Sequence, residues 1–374
     1  MPTVNERLAD AAVAHAIDLQ HYSNGEVRKI IALLNRADAD LRQRLFEAVE
    51  RMGTDRFTVT HMNTVLQSVR ELNKAIYAEI GEQFTETLGE LAAYELAYQQ
   101  ALFTATLPGP VLVAVPLANA NLGQVRAAAM SRPFQGRLLK EWLSDLESGR
   151  AARIRDAVRM GVVEGMTTDQ IVRRVMGIRA ESFADGQLQR GRLEIEAMVR
   201  TAISHTAGVA RDAFYLANED LMAGEVWHST LDSRTSEPCR LRDGLKYTAG
   251  DHRPVGHQVP WGAGPGRIHW QCRSTSTPVI KAWQELGLSP DEIDPGTRAS
   301  MDGQVPADTT YAQWLKKQSA KRQDQVLGPE RGKLFREGGL QLDRFYNDKG
   351  RYLTLDELRE RDAAAFERAG MLAA

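Results

Sequence analysis

The stretch AGEVWHSTLDSRTSEPC, running from Ala223 to Cys239, decides how the chain is divided. Its first half reads as a short β-like run and its second half as a polar turn. Upstream, apolar residues recur at helical spacings of three and four. Downstream to Thr277 the sequence is dense in Gly, Pro, His, Arg and Asp, with few periodic apolar positions. That change of pattern predicts an α+β protein that is predominantly α-helical. Outward from the boundary, the expected parts are long N-terminal helices over residues 1–110 and a second helical region over 111–222. A small β-containing, loop-rich module follows over 223–285, then a linker and partly extended C-terminal tail over 286–374.

In the helical half, Asn5 to Met52 reads as helix with a break near Ser23-Asn24-Gly25, where a capping residue meets glycine. From Thr60 to about Ala105, Met62, Val65, Val69, Leu72, Ile76, Ile80, Phe84, Leu88 and Leu91 fall on one helical face. A helix of about 45 residues spans about 68 Å, so this stripe needs a cover. It is either an assembly surface or ordinary packing against the first helix. Between Leu107 and Pro116 the prolines predict an extended connector. Helical spacing resumes in NLGQVRAAAM and in GRLLKEWLSDLESGRAARIRDAVRMGVVEG, a short helix is expected with Thr168 as its cap, and Leu188 to Asn218 completes the half. Near the far end, Thr354-Leu355-Asp356-Glu357 fits a capping box that opens a charged helix.

A chain of 374 residues with 43% apolar and 26% charged residues can bury a core without a metal or disulfide and is expected to fold. Its formal net charge of −2 argues against a protein that coats nucleic acid, which needs a cationic surplus on one face. The start MPTVNERLADAAVAHA carries charges inside its apolar pattern, unlike a signal peptide. The longest uncharged stretch, Ala101 to Gln124, is interrupted by prolines and makes a poor membrane span. The expectation is a protein made and assembled in a cytoplasm, with no membrane contact.

Two cysteines, Cys239 and Cys272, are too sparse for a disulfide framework in a reducing compartment. With His269 they offer three zinc ligands, and His228, Asp232 or His257 could be the fourth. A structural zinc would add folding free energy to a small module. A reduced, buried cysteine pair is the competing reading.

The informative constellation is TLDSRTSEPCRLRDG, Thr230 to Gly244, followed after a glycine-rich loop by RIHWQCRS, Arg267 to Ser274. Over roughly residues 190 to 280 the chain here resembles the Mu F-like minor head proteins of tailed phages. Their C-terminal module pairs an Asp-x-Arg-Thr turn, a Cys and Asp-Gly with a closing His-x-x-Cys-Arg. The matching positions are Trp227, Asp232, Arg234, Thr235, Cys239, Asp243, Gly244, Pro260, His269, Cys272 and Arg273. Asp232 can accept backbone amides two or three residues on, and Arg234 can fork onto a carboxylate such as Asp243. Ser274 stands where family members typically carry a second small residue or Cys. The resemblance implies a virion protein at the portal vertex that binds portal protein and other head proteins and bears on DNA packaging or ejection.

Other motifs are weaker. Gly328 to Leu334 is one residue short of a phosphate loop and lacks its Ser or Thr. Gly262, Gly264 and Gly266 have no βαβ unit around them. A deaminase needs a second cysteine after Pro238-Cys239. No complete catalytic set is legible, so the chain is expected not to be an enzyme. The alternative is a metal-dependent nuclease or effector enzyme delivered with the phage genome, in which His228, Asp232, His257 and His269 surround a metal and Arg273 holds a phosphate. His205 reads as a packing histidine. Lys316, Lys317, Lys321, Arg322, Arg331, Lys333 and Arg336 form a locally basic stretch, which is either a solvated helix face or a contact for packaged DNA or an acidic surface.

Overall fold

The computed structural model describes residues 3–52, 62–64, 66–178, 181, 184–282, 285–286, 297–300, 303–306, 309–347 and 350–371. Thr60 and Val65 of the second helical pattern, and Trp283, Pro290 and Pro295 of the linker, lie outside them. The protein is a predominantly α-helical α+β structure. Two compact units are formed, one from Met1–Leu19, Ala93–Val125 and Ala207–Ala374, the other from Gln20–Ala92 and Arg126–Thr206. Three long helices, α1 (Val4–Met52), α2 (Gln67–Thr106) and α7 (Leu188–Ala217), contribute residues to both.

In the unit containing Gln20–Ala92, Leu41, Leu45 and Val49 of α1 meet Met62, Leu66 and Val69. They share a core with Ile154 and Val158 of α5 (Leu139–Val163) and Ile171, Val172 and Val175 of α6 (Thr168–Met176). The stripe along α2 is therefore covered from within: Val69, Ile76, Ile80, Phe84, Leu88 and Leu91 are all buried. Asp38 is buried between Arg150, which it contacts closely, and Arg192 at 2.6 Å. His205 is buried beside Phe134, ring centroids 5.5 Å apart.

Helix α1 runs 49 residues without the predicted break at Ser23-Asn24-Gly25. The buried Ser23 hydroxyl donates to the Gln20 carbonyl at 2.8 Å, and the Asn24 side chain accepts from Arg200. With those groups satisfied, their competition with the helical backbone is removed. The buried Val27, Ile30, Leu33 and Leu34 just beyond outweigh the roughly 1 kcal/mol that glycine costs in a helix. Two further boundaries differ from expectation. The connector after Leu107 contains a short helix, α3 (Gly109–Ala114), because Pro110 sits in the first turn, where no amide is needed; α4 (Leu122–Ser131) follows. The cap of α6 is Thr167, not Thr168. Its hydroxyl accepts the Gln170 amide at 3.3 Å while Gln170 accepts the Thr167 amide at 2.8 Å, a reciprocal box that Thr168 cannot form.

The other unit packs Val4 and Leu8 with Phe103, Leu107, Val111, Phe214, Tyr215, Leu221, Met222 and Ile280. Its antiparallel sheet has the order β3-β2-β1-β4, with β1 Met222–His228, β2 Lys246–Tyr247, β3 Pro254–Val255 and β4 Thr275–Ile280. Met222 pairs with Ile280 and His228 with Thr275, with a bulge between Met222 and Gly224. A Cβ at Gly224 would collide with the Tyr247 carbonyl. Between β1 and β2 lies the six-residue helix α8 (Glu237–Arg242).

Beyond the sheet, β5 (Thr297–Ser300) and β6 (Gly303–Pro306) pair antiparallel. Among the described residues, the segment read as a partly extended tail also holds five short α-helices: α9 (Tyr311–Lys316), α10 (Ala320–Leu327), α11 (Pro329–Arg336), α12 (Leu355–Arg361) and α13 (Ala363–Arg368). Tyr311, Trp314, Leu315, Phe345, Leu358 and Phe366 share one core with Leu231 and Leu241, so this segment is docked on the loop-rich module. The Thr354 and Glu357 capping box forms as expected.

Candidate metal centre

The polar turn after β1 is built on Asp232. Its carboxylate accepts the Arg234 amide at 3.0 Å, lies 3.2 Å from the Thr235 hydroxyl, and receives both guanidinium nitrogens of Arg273 at 2.5 and 2.8 Å. Burial favours the neutral acid, yet the hydrogen bonds and charge of Arg273, with the Arg234 amide and Thr235 hydroxyl, hold the Asp232 carboxyl below its ordinary value. The bidentate fork thus comes from Arg273, not from Arg234. Arg234 is largely exposed and reaches Asp232 only at 3.8 Å. Asp243, the expected partner of Arg234, instead accepts the Ser229 amide at 2.6 Å and the Tyr311 amide, tying the end of β1 to the start of α9. Gly244 follows with φ +78°, a left-handed turn that a side chain resists, and Thr310 lies 3.2 Å from where its Cβ would be.

The turn delivers Ser236 and Cys239 on successive turns of chain, and the loop before β4 delivers His269 and Cys272. Cys239 Sγ lies 3.2 Å from His269 Nε2 and 3.6 Å from Cys272 Sγ. Zn–S bonds of about 2.3 Å and Zn–N of about 2.0–2.1 Å in a tetrahedron put donor atoms about 3.6–3.8 Å apart. These two separations lie within a few tenths of an ångström of those values, so the cluster is compatible with a zinc ion. His269 Nδ1 donates to the Trp270 carbonyl at 2.8 Å, which leaves Nε2 turned to the sulfurs, the usual support of a metal-bound imidazole. Behind the cysteines, Trp227, Tyr247 and Trp261 close an apolar wall. Trp227 and Trp261 meet edge to face at 5.2 Å, and the Pro260 carbonyl accepts from Arg242 at 2.9 Å.

The electrostatics favour a thiolate at Cys272 and a thiol at Cys239. Hydrogen bonding to Cys272, then burial, pushes the Cys239 thiol up. Cys272, on the other side of that bond and facing His269, is held well below the usual thiol range. Burial opposes charge on His269, but its contact with Cys272 and the Trp270 carbonyl outweighs this and raises its pKa.

The proposed fourth ligands are elsewhere. His228 Nε2 is bonded to Thr277 Oγ1 at 2.8 Å, His257 Nε2 to the Lys246 carbonyl at 2.8 Å, and Asp232 to Arg273. Among the described residues, Cys239, His269 and Cys272 are the one group of three or more His, Cys, Asp or Glu with metal-ligand spacing. What sequence reasoning missed is Ser236, whose hydroxyl lies 2.6 Å from His269 Nε2; the Ser-x-x-Cys spacing was its only signal.

The basic stretch is divided. Arg331 covers the Tyr352 ring at 4.4 Å and donates to the Leu353 carbonyl, Arg336 pairs with Asp324 at 2.6 Å, and Lys333 lies 4.0 Å from Glu337. Lys316, Lys317 and Lys321 are exposed, while Arg322 is half-buried and bonds Ser233 and Gln325. No described helix is long and apolar enough to cross a membrane. No protein-family model, curated protein or solved structure matches the chain.

Proposed function

We propose that the chain is a minor head protein of a tailed phage with an architectural, non-enzymatic role, and that its loop-rich module is a zinc-stapled clasp of the Mu F-like kind. What supports this is the use to which the motif residues are put. Asp232 and Arg273 brace one turn, Asp243 joins β1 to α9, and Cys239, His269 and Cys272 converge against a tryptophan wall. Each holds the chain's own loops. In this reading the protein sits in the virion head near the portal vertex after assembly in the host cytoplasm. It binds portal protein and adjoining head proteins, and any contact with packaged DNA falls to Lys316, Lys317 and Lys321, the exposed part of the basic stretch.

Co-expression with portal protein followed by co-purification tests the role; clean separation under assembly-like conditions counts against it. Metal analysis of intact, reduced protein tests the staple, with one zinc per chain expected and sub-stoichiometric zinc removing it. The three-donor set also favours a second reading, a metal-dependent nuclease or effector enzyme delivered with the genome, because three protein ligands plus water is the pattern of catalytic zinc. Nucleic-acid cleavage that needs divalent metal and disappears in His269→Ala would reverse the choice.

A further inference from the structure

We infer that Ser236 completes the zinc site as its fourth ligand, through its hydroxyl oxygen. This rests on the zinc reading above. Ser236 is the N-cap residue of α8: the Cys239 and Arg240 amides both bond its carbonyl, at 3.1 and 2.9 Å. Serine is chosen at such positions because its hydroxyl accepts an amide of the first turn, a bond whose loss costs about 1 kcal/mol. Here it makes no cap bond. The hydroxyl is turned instead to His269 Nε2 at 2.6 Å, the same atom that Cys239 Sγ approaches at 3.2 Å, so it stands at the donor cluster.

The competing groups are engaged elsewhere. His228 faces Thr277, His257 faces Lys246, and Asp232 faces Arg273. The Ser274 hydroxyl is directed to the Ser229 hydroxyl at 3.5 Å. In a tetrahedral site the oxygen and Nε2 stand about 3.3 Å apart. Ser236 therefore needs to withdraw by a few tenths of an ångström to each side as the hydrogen bond to Nε2 is exchanged for two bonds to the metal. The diverted cap then has a cause, since zinc coordination replaces the interaction that the helix forgoes.

Cobalt(II), a visible stand-in for zinc, tests this in the full-length reduced protein stripped of metal. The wild type is expected to bind one cobalt with the intense visible bands of tetrahedral geometry. Its electron paramagnetic resonance should not broaden in water enriched in oxygen-17, because no water is bound. Ser236→Ala should keep its helical circular dichroism, bind cobalt roughly tenfold or more weakly, and show oxygen-17 broadening as water enters. Ser236→Cys should add a third thiolate and raise the thiolate-to-cobalt charge-transfer intensity by about half. Oxygen-17 broadening in the wild type, or equal affinity in Ser236→Ala, overturns the assignment of Ser236 while leaving the zinc site standing. Wild-type protein that takes up no cobalt overturns both.

Discussion

Replacing Asp232 with asparagine isolates the charge of the brace, because the amide oxygen can still accept the Arg234 amide and keep the turn. What is lost is the carboxylate that receives both arms of Arg273 at 2.5 and 2.8 Å, in a pair whose side chains are 13% and 21% exposed. Hydrogen bonds to charged groups contribute about 1.5–3 kcal/mol, and partial exposure keeps the cost below the roughly 3–5 kcal/mol of breaking a fully buried pair. Asp232→Asn should therefore cost about 2–3 kcal/mol. Because the pair joins the turn before α8 to the strand entry after Cys272, the loss should be local. Amide hydrogen exchange in residues 229–240 and 267–275 should accelerate roughly 30- to 140-fold, with α5 and α6 unchanged. Combined with Arg273→Gln, the effects should be strongly non-additive; additivity within about 0.5 kcal/mol would refute the brace. The pH dependence has a definite sign. Folding holds the Asp232 carboxyl below its ordinary value, so its stabilisation is complete above the ordinary carboxylate pKa and drains away as pH falls through the lowered one. Asp232→Asn should flatten that acid limb.

Gly25→Ala should stabilise the protein by about 0.5–1 kcal/mol, since Gly25 lies inside α1 and nothing stands within 4 Å of the added methyl; a lowered urea midpoint would contradict the helical account. His252 stacks on Trp261 at 4.5 Å with Nε2 3.0 Å from the buried Glu225, and although burial lowers its pKa, Glu225 and Asp212 raise it overall against Arg267. Its stabilisation should be complete below about pH 6.5 and disappear as pH rises through the raised value. His252→Gln should abolish that dependence in urea unfolding, and an unchanged profile would dismiss the pairing. Chelation should loosen residues 236–239 and 267–273 in hydrogen exchange, with recovery on adding zinc; indifference to chelator would remove the staple. If Lys316, Lys317 and Lys321 meet duplex DNA, log K against log salt should slope at roughly −3, and their joint replacement by glutamine should abolish binding. A slope near zero excludes them.

The long helices were legible because a period of 3.6 over dozens of residues is hard to mistake, and Val69, Ile76, Ile80, Phe84, Leu88 and Leu91 of the apolar stripe are buried on α2. Boundaries were less so, since Gly25 and Pro110 are tolerated for reasons that lie in neighbouring groups or in position within a turn. The motif residues were all visible, and Cys239, His269 and Cys272 do meet. Which arginine forks onto which aspartate was not, because Arg234 is near in sequence whereas Arg273 reaches Asp232 from 41 residues away. Ser236 carried too common a residue type to stand out. The helices from Tyr311 to Arg336 have sequence cues that the reading as a partly extended tail did not use: Thr310 and Gln313 form a capping box, and Ser319 caps α10.

The unit that carries the Cys239, His269 and Cys272 cluster is stitched from three stretches of chain far apart in sequence. Asn5 accepts the amide of Ile280 at 2.8 Å, a bond that closes across 275 residues. A ribosome adding about 5–20 residues per second leaves Val4 and Leu8 waiting roughly 15–55 s for the strand that finishes their core. During that interval the newborn amino-terminal helix carries bare apolar surface, which makes it the segment for chaperones to shield. Trimming the gene to the clasp alone would discard Val4 and Leu8 altogether, so a soluble short version would have to be redesigned at the apolar residues they pack with, such as Ile280.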